Sequence, residues 1–530
     1  MKQTGEKNLL IRCLTVILVV QFILIAVSNV KMIETNIDCD NAKLFMHIME
    51  MWNQKTIAIP GWSYVTTLEL DCAGLLALPL YGMTGNIYLA FAVSNILLLG
   101  LFIAVLFYLF RGKNILYPIL TANLLCIPYA VGMLDYYNMM FFCGSQYILK
   151  VMMPILFAAV LIQMNEQKDG IRCNYVFSAL FLVLFFITSM SSGLYVLLVG
   201  IMPITIAYFL YKILKNEKLF GKTMVLICIS IVIGIVGIYL NRLIMGGARG
   251  DSGMVIISVY QVLANVSSCI AGMFELFGGA SYASDLPVLS VQGIAVVTKC
   301  CVVILFLVCG AIAVYKLVKK KLDLGSILLL AVFFWNLFVL LITNTRAGSA
   351  TYEYRYHLIG MVPLMCVTSV ILADAFENLN GDQKRFFGLA GIFALIILNA
   401  LSFPVIFKGE DTCADLKELC GYCENLDVDY VYLYDASNDA DMCRLIQEDG
   451  DPLYLCITPG GSTWVYDYYA EYVDGDIDPK KAMVAIKSEE GELPDILDMF
   501  GYQVKKFDTV ADRDLYYFVS EGMPKENFAD

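Results

Sequence analysis

Charged residues and histidines are scarce in this sequence. Only 16% of its 530 residues are charged, whereas 59% are hydrophobic. This composition excludes an ordinary soluble domain and indicates a protein with several transmembrane helices. Its only histidines are His47 and His357, so a zinc site in the C-terminal part of the chain would need four thiolates. We predict no such site.

Three common functional motifs are also absent. The sequence contains no phosphate-binding loop, no Gly-x-Ser-x-Gly motif and no internal repeat. It therefore gives no support for a phosphate-loop nucleotidase, for a serine hydrolase of that type or for a repeat protein.

Basic residues are scarce in the last part of the chain, and this divides the protein into two domains. Residues 408–530 contain 29 acidic and only 10 basic residues. Residues 1–407 carry a net charge of +7. The pattern predicts a transmembrane domain over 1–407 and an acidic soluble domain, here called the tail, over 408–530. Such an acidic tail does not bind nucleic acid or anionic lipid through nonspecific electrostatics.

The tail has the patterns of a small α/β domain. Short alternating or apolar runs predict strands at 428–434, 453–457, 482–486, 503–507 and 515–519. Helices are predicted at 415–425 and 493–499. Cys420 and Cys423 fit a helix end with two half-buried thiols, and a disulfide or a redox pair is the alternative.

Eleven runs are long and apolar enough to cross a bilayer, which takes about 20 residues. They cover 9–30, 85–110, 115–134, 146–164, 174–190, 193–211, 223–241, 293–315, 324–343, 356–375 and 387–407. A twelfth run, 254–278, is interrupted by polar residues and glycines, so we predict a re-entrant or interfacial segment. Basic residues are concentrated in the connections on one side of the membrane, which is typical of the cytoplasmic side. We therefore predict a plasma-membrane protein with a cytoplasmic N-terminus. The first loop, 31–84, and the tail are then extracytoplasmic. The long first span is typical of a retained signal anchor.

Two aspartates one residue apart, Asp38 and Asp40, lie at the start of the first loop. They precede an amphipathic segment, 42–53, which predicts a helix on the membrane surface with His47 on its polar face. More polar residues without an evident structural need fall on the same predicted side of the membrane. They are Glu69, Asp71, Asp135, Tyr136, Arg242, Arg249, Arg346, Arg355 and His357.

Acidic and arginine side chains at a membrane surface suit one kind of reaction. Guanidinium groups bind phosphate in a bidentate manner and can hold a lipid-linked phosphate donor there. A nearby carboxylate can deprotonate an acceptor hydroxyl. Simpler interpretations exist for each element, because Asp-x-Asp is common, juxtamembrane arginines contact headgroups or nearby acids, and tyrosines near span ends form interfacial belts.

The arrangement resembles the GT-C class of integral-membrane glycosyltransferases, especially the protein O-mannosyltransferase and aminoarabinose-transferase branch. The resemblance rests on Asn36-Ile37-Asp38-Cys39-Asp40-Asn41, on Arg355-Tyr356-His357 before Pro363, and on Ser191-Ser192-Gly193-Leu194-Tyr195 before Pro203. The mannosyltransferase-like branch typically has adjacent Asp-Glu where this chain has Asp-x-Asp. The resemblance implies a GT-C fold and sugar transfer from a polyprenyl-phosphate donor to an extracytoplasmic glycan, lipid or protein.

Our first hypothesis is therefore an inverting glycosyltransferase with Asp38 as the base and Asp40 as its partner. If a divalent cation such as Mg or Mn is required, these two aspartates would be its ligands. Four arginines would bind the donor phosphate: Arg346, Arg355, Arg242 and Arg249. Five residues would contact the acceptor or the sugar: Glu69, Asp71, Asp135, Tyr136 and His357.

Two other functions are considered. One is a transporter or flippase of lipid-linked glycans, which is disfavoured because the spans contain almost no mid-membrane acids and the sequence has no internal repeat. The other is a non-catalytic scaffold whose tail binds a cell-envelope partner.

Overall fold

The protein is a multi-pass membrane protein in which apolar helices are followed by a sheet-containing tail, as the sequence predicts. We describe it from a computed structural model. The described residues are 2–64, 67–130, 135–165, 171–218, 221–246, 255–279, 286–344, 354–408, 411–447, 452–465, 468–487, 494–499 and 501–519. Within these ranges, eleven helices are long and apolar enough to cross a membrane.

Helices dominate the first 407 residues because leucine, isoleucine, valine and phenylalanine fill runs of about 20 residues. The helices are α1 (Lys2–Met32), α2 (Cys39–Gln54), α3 (Gly74–Thr84), α4 (Ile87–Leu109), α5 (Leu116–Leu125), α6 (Asp135–Phe141), α7 (Ile148–Asn165), α8 (Ile171–Ser192), α9 (Met202–Leu214), α10 (Lys222–Ile244), α11 (Val259–Leu276), α12 (Val291–Val318), α13 (Leu324–Ile342), α14 (Leu358–Glu377) and α15 (Gly381–Ser402). A π-helix, Leu197–Ile201, precedes α9, and 3₁₀ turns cover Tyr354–His357 and Phe403–Phe407. Three two-residue strands lie between helices: β1 (Trp62–Ser63), β2 (Val255–Ile256) and β3 (Thr343–Asn344).

Ion pairs mark one end of the helix bundle, here called the Lys113 end. Lys113, after α4, pairs with Asp323 at the start of α13. Lys316, in the last turn of α12, pairs with Asp374 at 3.1 Å. The opposite end carries the first loop and is here called the Asp40 end. The tail begins at the same end, since the Thr412 amide donates a hydrogen bond to the Thr35 carbonyl at 2.9 Å. Which end faces the cytoplasm stays a prediction.

Helix α11 begins at the Asp40 end and ends beside the first half of α12, although it meets the length and hydropathy of a span. Strand β2, just before it, pairs with β3 at the end of α13. At the other end of α11, the Gly279 carbonyl accepts a hydrogen bond from the Cys300 thiol at 2.7 Å. Since α10 ends and α12 begins at the Asp40 end, this geometry agrees with the predicted re-entrant segment.

The predicted span 115–134 is not one helix. Helix α5 ends at Leu125, and the chain is non-helical over 126–130 before α6 begins at Asp135. Pro128 explains the break, because proline lacks the amide donor that a continuing helix needs. Two tyrosine hydroxyls satisfy the freed carbonyls: Tyr129 donates to Leu124 O at 3.0 Å, and Tyr136 donates to Leu125 O at 2.9 Å.

Helix α2 is buried on more sides than an interfacial helix would be. Leu44, Phe45 and Ile48 are fully buried, as the amphipathic pattern predicts. His47, predicted on the polar surface, is also fully buried. The reason is that the following loop folds over it, so that the His47 ring stacks on Trp62 with centroids 5.2 Å apart.

The tail contains helices α16 (Ala414–Cys423) and α17 (Ser437–Ile446) and a seven-stranded sheet in the order β6-β5-β4-β8-β11-β10-β9. Its strands are β4 (Tyr430–Tyr434), β5 (Leu453–Ile457), β6 (Thr463–Trp464), β8 (Ala482–Lys487), β9 (Ile496–Met499), β10 (Tyr502–Val510) and β11 (Arg513–Phe518). Strand β4 is parallel to β5 and β8, and the other pairs are antiparallel. The predicted helix 493–499 is wrong over its described part, since β9 pairs with β10 there. A further strand, β7 (Tyr468–Tyr469), leaves this sheet and pairs with β1 of the first loop.

Candidate active site

Asp38 caps the N-terminus of α2. Its Oδ1 accepts hydrogen bonds from the Asn41 backbone amide and the Asn41 side chain, both at 2.8 Å. Removal of water by the surrounding protein raises the pKa of Asp38 above its ordinary value, against the effect of these hydrogen bonds. One carboxylate oxygen of Asp38 is therefore already used to begin the helix that positions Asp40.

The cap gives a prediction about stability. Replacing Asp38 by Ala should lower the free energy of unfolding by about 1 kcal/mol, because Ala cannot cap the helix. Asp38→Asn should leave it nearly unchanged, since Asn caps as well as Asp. Thermal unfolding of both purified variants measures the difference, and equal losses would contradict the capping role.

Asp40 lies between two cations. Its Oδ1 accepts a hydrogen bond from Lys43 Nζ at 2.6 Å, and its Oδ2 is 3.8 Å from Arg355 Nη1. Burial opposes ionisation of this carboxyl, but the charges of Lys43 and Arg355 outweigh it and hold the pKa of Asp40 below its usual value. The cluster of Asp40, Lys43 and Arg355, here called the Asp40 cluster, thus joins the first loop to the 3₁₀ turn before α14.

Glu69 lies beside this cluster. Its Oε2 is 3.3 Å from His47 Nδ1, and its backbone has a φ of 56°, which non-glycine residues rarely adopt. Burial is the main cause of a Glu69 pKa of about 8, which the charges of Asp40 and Asp71 raise and those of Lys43 and Lys150 lower. Glu69 is therefore largely neutral at pH 7.

The Glu69 pKa predicts a pH dependence of stability. The folded protein keeps a proton on Glu69 up to about pH 8, whereas the unfolded chain loses it near pH 4.5. The stability contributed by Glu69 is thus present below pH 4.5 and lost as the pH rises to 8. Glu69→Gln should flatten the fall in unfolding temperature between pH 5 and pH 8. An unchanged slope in this variant would contradict the assignment.

A second charged group, Asp71 with Lys150, is buried next to Glu69. Asp71 Oδ2 is 3.1 Å from Lys150 Nζ, and Asp71 is fully buried. Asp71 Oδ1 accepts a hydrogen bond from Ser191 Oγ at 2.8 Å, and Oδ2 accepts one from Ser192 Oγ. Asp71 therefore ties the first loop to the start of α7 and to the end of α8.

Tyrosine rings connect the two charged groups. The Lys150 ammonium is 5.1 Å from the Tyr147 ring centre, and the Arg355 guanidinium is 5.7 Å from that of Tyr356. These two rings meet edge to face at 6.4 Å, and Tyr195 approaches Tyr356 at 6.5 Å. Lys150 and Arg355 thus border one aromatic region at the Asp40 end.

No family model and no curated protein matches the sequence. Solved structures do match its fold. ArnT from Cupriavidus metallidurans in the apo state is 11% identical, with a TM-score of 0.55 over 95% of this chain and 97% of that chain. The same protein bound to undecaprenyl phosphate is 10% identical, with a TM-score of 0.54 over 96% and 99%. An Archaeoglobus fulgidus oligosaccharyltransferase in complex with Zn and sulfate is 10% identical, with a TM-score of 0.51 over 89% of this chain and 68% of that one.

The chain has the GT-C fold. The fold expected from the resemblance is confirmed, and it extends over the tail as well as the membrane domain. In this fold the Asp40 cluster lies in the loop after the first span, where the resemblance expects the catalytic acid.

The structure brings together only some of the residues predicted to form the site. Asp38, Asp40, Glu69, Asp71 and Arg355 lie in one region at the Asp40 end. Tyr136 and His357 are buried in the interior instead, and Arg242 is exposed in the last turn of α10. Arg249, Arg346 and the side chain of Asp135 lie outside the described residues.

Four residues of the site were missed by the sequence analysis: Lys43, Lys150, Ser191 and Ser192. Lys43 follows Asp40 by three residues, a spacing that places two side chains on one helical face, so the signal was present. Lys150 was a charged residue inside a predicted span, and such residues are rarely without function. Ser191 and Ser192 were noted for the resemblance, but only the fold shows that both contact Asp71.

The predicted metal ligands fit a divalent cation poorly. Asp38 Oδ1 is used by the helix cap, and the charge of Asp40 is balanced by Lys43 and Arg355. Among the residues that the structure describes, no group of three or more acidic, cysteine or histidine side chains could hold a metal ion.

Proposed function

We propose that this protein is a membrane glycosyltransferase that transfers a sugar from a polyprenyl-phosphate donor to an acceptor on the side of the membrane where the tail lies. The observation that carries this proposal is a carboxylate, Asp40, held between Lys43 and Arg355 at one end of a GT-C bundle. A solved structure with the same fold, ArnT from Cupriavidus metallidurans, is bound to undecaprenyl phosphate, which supports this class of donor.

The charges of the Asp40 cluster suit a phosphate. Two cations, Lys43 and Arg355, contact one carboxylate in this cluster, and lysine and arginine are the side chains that bind a phosphate group. When the phosphate binds to Arg355 and Lys43, it competes with Asp40 for them. This weakens the interactions that lower the Asp40 pKa and makes Asp40 a stronger base.

In the proposed step an acceptor hydroxyl attacks the anomeric carbon of the donor. Asp40 takes the hydroxyl proton, the new glycosidic bond forms, and the bond from the anomeric carbon to the phosphate oxygen breaks. The leaving polyprenyl phosphate gains a second negative charge, which Arg355 and Lys43 stabilise. The base of the Asp38 and Asp40 pair is thus Asp40 in this proposal, because Asp40 is the one that contacts both cations.

We further propose that transfer needs no divalent cation, since lysine and arginine already supply the positive charge at the donor phosphate. Activity should then persist in excess EDTA.

The direct test uses purified full-length protein in detergent with a polyprenyl-phosphate sugar labelled in the sugar. Release of the label, or its transfer to an added envelope-glycan, lipid or peptide acceptor, should depend on the protein and on Asp40. Turnover in detergent also separates an enzyme from a flippase, because transport cannot be scored there. Absence of any turnover with a panel of donors and acceptors would contradict the proposal.

Arg355 gives a prediction specific to the donor. Arg355→Ala should raise the KM for the donor by about tenfold or more, because a phosphate contact of 1.5–3 kcal/mol is lost. Arg355→Lys should restore only part of the affinity for the donor, since lysine cannot bind two phosphate oxygens at once as arginine does. Steady-state kinetics over donor concentration measure this effect. An unchanged KM with a lower kcat would instead place Arg355 away from the phosphate.

A further inference from the structure

Lys299 is a buried cation that the proposed mechanism does not use. It lies in α12, its side chain is fully buried, and its Nζ has no hydrogen-bond partner among the described residues. Lys299 shares the buried face of α12 with Ala295, Val302 and Phe306. The lysine is therefore surrounded by apolar side chains on its own helix.

Contacts place Lys299 towards the Asp40 end of the bundle. Helix α12 begins at that end, and Lys299 is nine residues into it, about 12 Å along the helix axis. The neighbouring Cys300 thiol donates to the Gly279 carbonyl, just after α11. A Cβ on Gly272 of α11 would lie 2.9 Å from His357 Nε2. The second half of α11 therefore lies between α12, near Lys299, and the start of α14, near Arg355.

An ammonium group without a partner among the described residues is costly in such a position. A buried charge without a partner costs several kcal/mol, and ionisable residues inside membrane helices face partners, cavities or substrate paths. A lysine kept only for packing would be replaced by methionine or leucine at a gain in stability. The position of Lys299 is thus best explained by an anion that binds to it.

We propose that Lys299 forms an anion site within the membrane domain, and that this site binds the phosphate group of the polyprenyl lipid. The identity of the lipid rests on the proposed function. A lipid phosphate suits the site because its hydrocarbon chain can remain among apolar helices while its headgroup meets the ammonium. Free inorganic phosphate would face a similar dehydration cost there without the burial of a hydrocarbon chain to offset it.

The first measurement compares unfolding temperatures of the full-length protein without lipid ligand. Lys299→Met should raise the unfolding temperature, because an uncompensated buried charge is removed. Lys319→Met is the matched control: Lys319 is an exposed lysine at the opposite end of α12, and its replacement should change little. A fall in the unfolding temperature of Lys299→Met would overturn the proposal, because it would show that Lys299 is paired within the protein.

The second measurement is binding of farnesyl phosphate, with farnesol and inorganic phosphate as comparison probes. Wild type should bind farnesyl phosphate at least about tenfold more tightly than Lys299→Met does, and Lys299→Arg should recover binding. Equal affinity of the two proteins, or binding of inorganic phosphate as tight as that of farnesyl phosphate, would overturn the proposal. Binding is measured without turnover, so its result does not depend on whether Asp40→Asn abolishes transfer.

Discussion

Asp40→Asn should abolish sugar transfer while the protein still folds. The substitution keeps the shape of the side chain but removes the group that accepts the acceptor proton. A general base contributes about 10²–10⁴-fold to the rate, and we expect a loss in that range. Initial rates of label transfer at saturating donor measure it.

The fold should survive because Asp40 is only partly buried, with 44% of its side chain exposed. Exposed ion pairs contribute about 1 kcal/mol or less to stability. The unfolding temperature of Asp40→Asn should therefore stay near that of wild type, so that a lost activity reports on the chemistry.

Asp38→Asn is the matched control, because it removes the neighbouring carboxylate and preserves the helix cap. We expect its transfer rate to remain within a few-fold of wild type. The opposite result, with Asp38→Asn inactive and Asp40→Asn active, would return the base to Asp38, as the sequence hypothesis had it. If both variants were active, neither aspartate would be the base.

Most of the membrane fold was predictable because hydrophobic runs of fixed length have few alternatives in a bilayer. The predicted span 115–134 is not one helix, since α5 ends at Leu125 and Pro128 cannot continue the backbone hydrogen bonds of a helix. In the tail, the strand at 453–457 was predicted with its exact bounds. The helix predicted at 493–499 was wrong because Ile496, Leu497 and Met499 fit the period of a helix as well as that of a strand. Pairing with β10 makes this segment a strand.

The sequence could locate only those residues of the site that lie in the first loop. Asp38 and Asp40 are adjacent to the first span, so hydropathy alone located them at a membrane surface. The contact between Asp40 and Arg355 joins residues more than three hundred positions apart, and the sequence indicated only that both lie on one side of the membrane. Tyr136 and His357 met the same criterion, but the fold buries them, since sidedness does not fix depth.

Lys150→Met should destabilise the protein by about 3–5 kcal/mol. It would leave Asp71 as a fully buried carboxylate without its cation, and breaking such a pair from one side is more costly than removing both partners. The hydroxyls of Ser191 and Ser192 would remain, but neutral donors do not balance a charge. Thermal unfolding of the purified variant would show the loss directly.

The double variant Asp71→Asn/Lys150→Met separates this charge effect from lost packing. If charge is the cause, the double variant should be more stable than Lys150→Met alone, by about 1–3 kcal/mol. Lys113→Met is the control for a lysine in a more exposed pair, with Asp323, and should cost about 1 kcal/mol or less. A double variant less stable than Lys150→Met would mean that Asp71 is stabilised without Lys150. The two serines would then be sufficient to hold the first loop against α8, and Lys150 would be available to bind a phosphate beside Tyr147.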